Sequence, residues 1–164
     1  MKETDTNTYD MFTLLKDRRL LIAVDDNEHS HRAVRFVGEL LGGLPGFSAL
    51  ICHIAVLLED DAFVSEEESR EWVKYLMEEK GKMLQTYRDM LIEAGFAQEN
   101  VSTGVVLSKQ STIVESIIRE QRNVGACIIV VGRRGISKKE EFILGSTTNS
   151  LIHARKNCAV WVVE

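Results

Sequence analysis

Leu20-Leu21-Ile22-Ala23-Val24, followed at once by Asp25-Asp26-Asn27, is the stretch on which the reading of the fold turns. Five apolar residues in a row do not alternate as a half-exposed antiparallel strand would. They suit a strand buried on both faces, the condition of a parallel sheet covered by helices. The acidic residues that end the run mark the carboxyl end of this strand, β1. Outward from it, Ala33, Val34, Val37, Leu40 and Leu41 recur at helical spacing until Gly42-Gly43 and Pro45-Gly46 stop them, predicting α1. Ala49 to Leu58, apolar apart from His53, predicts β2, and Glu59 to Arg70 reads as an acidic crossover loop. From about Ser69 the residues Trp72, Leu76, Met83, Tyr87, Met90 and Leu91 form a helical stripe that Gly95 terminates, giving α2 as the longest helix. Val101 to Leu107 predicts β3. Thr112-Ile113-Val114-Glu115 has capping-box spacing and opens α3, which would bury Ile113, Ile117 and Ile118. Ala126 to Val131 predicts β4, Gly145 to about Arg155 predicts α4 with Leu151 and Ile152 turned inward, and Ala159 to Val163 predicts β5.

Strands that alternate with helices imply right-handed crossovers, so the expected architecture is a single doubly wound α/β domain with helices on both faces of a parallel sheet. Residues 1–18 read as an N-terminal tail and 19–164 as the domain. The 164 residues suit one core, and 45% hydrophobic with 27% charged residues is the composition of an ordinary globule. A net charge of -5 argues against duplex nucleic acid and anionic membranes as partners. Lys2, Glu3, Asp5 and Asp10 interrupt any apolar leader, and no later run of about 18 apolar residues follows, so the reading points to the cytoplasm. Cys52, Cys127 and Cys158 lie in or beside apolar runs without a CxxC pair and read as small core residues.

The chemistry concentrates in Val130-Val131-Gly132-Arg133-Arg134-Gly135 and, nine residues on, Gly145-Ser146-Thr147-Thr148. Two closely spaced glycines after a buried strand permit a tight turn whose backbone can approach a ligand. Gly145-Ser146 then opens a helix whose first N–H groups lack intrahelical partners, a favourable seat for phosphate. The hydroxyls of Ser146, Thr147 and Thr148 add donors, and Arg133, Arg134, Lys138 and Lys139 make the intervening loop basic. Turn and cap roles account for the same glycines and hydroxyls, and Asp25 has a second reading as the cap of α1.

Gly132-x2-Gly135-x9-Gly145-Ser146 is similar to the G-x2-G-x9-G-[S/T] motif of ATP-binding universal stress proteins. Leu21 to Asp25 resembles that family's first strand with its terminal aspartate, Cys52-His53-Ile54 its second strand, and Val160 to Val163 its last, so the likeness spans about residues 19–164. The resemblance implies five strands in the order 3-2-1-4-5 and a ligand crevice at the switch between β1 and β4. It implies that Ala23, Val24 and Asp25 line the nucleoside end, that Ile54 touches adenine, and that Val131, Gly132, Arg134, Gly135, Gly145, Ser146, Thr147 and Thr148 surround ribose and phosphates. ATP, with Mg²⁺ or Mn²⁺ as a companion, is the implied cofactor, and stress response or regulation the implied role. A homodimer is expected through β5, whose apolar edge carries no proline. Asp26 stands where the family usually has glycine, Ser108-Lys109 replaces another glycine, and Ala159 replaces a proline; the first two are expected to narrow the pocket.

Other classes fit less well. Val24-Asp25-Asp26-Asn27 resembles the acidic start of a receiver domain, yet no acceptor aspartate follows β3 and the chain ends with β5. Neither GxxxxGK[ST] nor GxGxxG occurs, and His29, His31, His53 and His153 form no obvious catalytic set. The reading is therefore a nucleotide-binding protein without enzymatic machinery, at most a slow ATPase or self-phosphorylating protein. The remaining alternative is a dimeric interaction module that no longer binds nucleotide.

Overall fold

A computed structural model describes residues 18–57, 65–109, 112–133, 146–154 and 157–164. Their strands and α-helices are β1 (Arg18–Ala23), α1 (Glu28–Leu41), β2 (Phe47–Val56), α2 (Glu66–Glu93), β3 (Val101–Ser108), α3 (Ile113–Val124), β4 (Ile128–Gly132), α4 (Ser146–His153) and β5 (Ala159–Val163). The five strands form one sheet in the order β3-β2-β1-β4-β5. Every pairing is parallel, with Leu20 opposite both Ala49 and Ile128, and Ile129 opposite Val160. The expected doubly wound architecture and strand order are those of the molecule.

Side-chain alternation divides the apolar runs between two cores. Leu20, Ile22 and Val24 join Ile51 and Val130 beneath α1 and α2, where Val34, Val37, Leu84, Tyr87 and Leu91 meet them. Leu21, Cys52, Ile54, Ile129 and Val131 face the other way, onto Ile117 of α3 and Leu151 of α4. An uninterrupted apolar strand is thus required because each face has its own helical layer to bury.

Several local expectations are corrected. Asn27, not Asp25, caps α1, its side chain accepting from the Ser30 N–H. The segment expected to remain a loop as far as Arg70 already turns helical at Glu66, capped by Ser65, with Glu66, Glu67 and Glu68 in the first turn where the helix dipole favours acids. At 28 residues α2 is about 42 Å long and outruns the sheet it covers, so Trp72 and Leu76 are only half-buried while Leu84, absent from the expected stripe, is fully enclosed. Ile152 is 45% exposed whereas Leu151 is fully buried, because an eight-residue helix presents a narrow stripe to the sheet. Of the three isoleucines expected inside, Ile117 is buried whereas Ile113 and Ile118 are half-buried against the same core, and the buried face of α3 also includes Ser116 and Gln121. The capping box of α3 is present in full, with Thr112 and Glu115 each accepting from the other's N–H.

Candidate functional site

A cleft opens at the carboxyl ends of the neighbouring strands β1 and β4. Ala23, Val24, Asp25, Ile54, Val131, Gly132, Thr147 and Thr148, all expected from the sequence, line it. Asn27, Ser30, His53, Ile113 and Ile117 line it too and were not anticipated. Its described walls enclose about 110 Å³, short of the roughly 300–1,000 Å³ of complete small-molecule sites. Arg134, Gly135, Gly145, Lys138 and Lys139 lie outside the described residues, as does the side chain of Ser146, whose backbone begins α4. Thr148 is buried on the first turn of that helix.

The floor of the cleft is the turn from β1 to α1. The Val24 N–H donates to the Cys52 carbonyl at 2.9 Å, continuing the sheet by one bond beyond the strand. The Ser30 hydroxyl accepts from the Asp25 N–H at 2.9 Å and donates to the Asp25 carboxylate at 2.7 Å. His53 Nδ1 lies 2.8 Å from the Val24 carbonyl oxygen. Because that oxygen can only accept, the ring proton sits on Nδ1 and Nε2 is the acceptor nitrogen. Burial holds the His53 pKa below its ordinary value; the bond to Val24 opposes this, Lys80 assists it, and the Asp25 and Asp26 carboxylates oppose it. The ring is therefore neutral near pH 7. Tyr87 of α2 donates its hydroxyl to the Asp25 carbonyl at 3.0 Å, and burial followed by the nearby Asp25 and Asp26 charges raises its pKa.

Gly132 has a role that sequence alone did not assign. A Cβ at this position would lie 2.4 Å from the His29 carbonyl oxygen and 2.5 Å from its carbon. The missing side chain lets the first turn of α1 close onto β4, so intramolecular packing alone suffices to require glycine here. Arg133, read as part of the basic loop, pairs with the carboxylate of Glu164 and donates its backbone N–H to Val163. Asp26 is 81% exposed on its side chain and reaches toward Lys80 at 3.9 Å, while Ser108 is buried against the Ser116 hydroxyl.

A parallel sheet of order 3-2-1-4-5 covered by helices has counterparts among known proteins. The universal stress protein family model matches residues 17–164. The chain belongs to the universal stress protein family. A family member from Burkholderia pseudomallei superposes with a TM-score of 0.68 at 19% identity, covering 90% of this chain and 96% of that one. The Archaeoglobus fulgidus universal stress protein in complex with dAMP gives 0.60 at 18% identity, with 89% and 97% coverage. A universal stress protein in complex with cAMP gives 0.65 at 17%, with 91% and 98%. Comparison with curated protein sequences returns no match. Among the described residues no group of three or more His, Cys, Asp or Glu could hold a metal ion, and no helix is long and apolar enough to cross a membrane.

Proposed function

We propose that this universal stress protein binds an adenine nucleotide, ATP, in the cleft between β1 and β4 and uses it as a conformational ligand. The observation that carries the reading is the convergence of Val24-Asp25, Ile54, Gly132 and the α4 start, Thr147-Thr148, on one cleft at the topological switch point. Ile54 offers an apolar surface to the base. The backbone N–H groups at the start of α4, with the two threonine hydroxyls, suit phosphate oxygens. Asp25 sits at the β1 end of the cleft and so suits a ribose hydroxyl better than a phosphate. A divalent cation accompanying the triphosphate would ride on the phosphates. The solved family members with dAMP and cAMP support the adenine-nucleotide class. The domain proposed runs over 19–164, with 1–18 as a tail, and the proposed setting is the cytoplasm.

Titration calorimetry with ATP tests this directly, with mass spectrometry of any nucleotide that co-purifies. Gly135→Val and Gly145→Val are expected to abolish binding in proteins that remain folded; unchanged affinity in both would remove the site. Gly132 is the wrong probe because its substitution disturbs α1. Turnover is expected to be slow or absent, with ATP raising the melting temperature by mass action. Sustained hydrolysis near the median enzyme rate of about 10 per second, lost in the same variants, would refute the ligand role.

A further inference from the structure

Two carbonyls on the floor of the cleft are held by side chains from different parts of the fold. The Val24 carbonyl receives the His53 Nδ1 proton from β2, and the next carbonyl, Asp25, receives the Tyr87 hydroxyl from α2, 62 positions along the chain. The intervening peptide N–H is engaged by Ser30 of α1 at 2.9 Å. Val24 and Asp25 lie beyond the end of β1, and side chains that the tertiary fold delivers help to fix the orientation of these groups. Alternation within β2 separates the two neighbours: Ile54 joins the α3 and α4 face with Cys52, while His53 falls on the opposite side, within the electrostatic reach of Lys80 of α2. Val24 and Asp25 both line the cleft, so a rotated peptide there would turn a different polar group toward a ligand.

We propose that His53 and Tyr87 are positioning residues: together they clamp the consecutive Val24 and Asp25 carbonyls, and so hold the β1–α1 turn in the one backbone conformation that receives the nucleoside. The inference rests on the nucleotide-binding reading of this cleft. His53 acts through Nδ1, the nitrogen nearest the main chain. Asparagine can present an amide N–H close to that position, whereas glutamine places its amide nearer to Nε2. Leucine presents no donor at all.

Calorimetric titration of the full chain with ATP, at a pH where His53 is neutral, decides the matter. His53→Leu and Tyr87→Phe are each expected to weaken binding about tenfold, the effect of roughly one hydrogen bond. His53→Asn is expected to stay within about threefold of the unsubstituted protein, and His53→Gln to behave as His53→Leu does. Tyr87→Phe keeps the ring and its packing, so it remains informative should His53→Leu fail to fold. Thermal melts alongside separate affinity from stability, since a residue that merely supports the fold would lower the melting temperature without the asparagine rescue of binding. ATP affinity unchanged in Tyr87→Phe or in folded His53→Leu, or asparagine no better than glutamine, overturns the proposal. Absence of ATP binding by the unsubstituted chain defeats the reading of the cleft itself and is seen before any variant is made.

Discussion

His53 gives the molecule a pH signature of its own. Its folded pKa lies below the ordinary 6.5, chiefly through burial and then through the balance of the Val24 carbonyl, Lys80, Asp25 and Asp26. The unfolded chain therefore binds the proton more readily, and stability must rise with pH across the window between the two values. The contribution is complete above about pH 6.5 and is lost as pH falls through the folded value. Urea denaturation at a series of pH values is expected to show this slope, reduced in His53→Asn; a slope unaltered by that substitution would contradict the assignment. Cys52 behaves oppositely in kind, as an inert thiol: burial, assisted by the Glu120 carboxylate, pushes its pKa up to about 12. It is expected to resist alkylation by iodoacetamide at pH 8 in the folded state and to react once urea unfolds the chain. Gly132→Ala should cost about 1–3 kcal/mol in the same denaturation assay, because the His29 backbone has no room to yield to a methyl group. The burial of Cys52 was legible in its apolar run, but the other two properties were not written in their own stretches of sequence. His53 and Gly132 were visible as residues, but their partners Val24, Tyr87 and His29 come from elsewhere in the chain.

At the scale of the element, the signals that sequence carries best are those that neighbouring residues settle among themselves. The capping box at Thr112 is the clearest, since its two reciprocal bonds span only three residues. Thr112→Ala is expected to destabilise the protein by about 1 kcal/mol, read as a lower melting temperature, with no repair from changes elsewhere. Burial is harder to anticipate because it depends on how much of a helix the sheet can cover. Leu151 and Ile152 are adjacent and both apolar, yet only Leu151 is enclosed. Leu151→Ala is therefore expected to cost about 2–5 kcal/mol, whereas Ile152→Ala should fall within about 0.5 kcal/mol of the unsubstituted protein. Comparable losses from the two would mean that α4 is rotated relative to the sheet. The early start of α2 was hidden for a related reason: Glu66 to Glu68 resemble a solvated loop until the cap at Ser65 and the helix dipole are considered together.

For the molecule as a whole, the outer edge of β5 is the surface that invites a partner. Its residues are mostly half-buried, Trp161 packs edge-on against Phe36 at 6.3 Å, and Phe36 and Leu40 remain 41% and 50% exposed beside it. We expect a second copy to pair with this edge about a twofold axis, since such a pairing satisfies the backbone of both strands at once. Light scattering should report a dimer at tens of micromolar, a range in which weak dimers appear, and a monomer for Val162→Pro, whose missing N–H removes a ladder bond. A monomeric intact protein would exclude the interface. The sequence by itself determined the order of the strands and α-helices along the chain and the parallel, doubly covered sheet, because uninterrupted apolar runs and helical periodicity are local patterns with few three-dimensional solutions. It also marked Thr147-Thr148 through the glycine spacing before them, and Asp25 and Ile54 through the family resemblance, as candidates for one site. Only the tertiary structure decided that Asn27 rather than Asp25 caps α1, that Arg133 is committed to Glu164, that Gly132 is needed by His29, and that His53 and Tyr87 hold the turn beneath the cleft. Each of these is a contact between residues distant in the chain or a choice among competing partners, and such choices are made by the distances that folding creates.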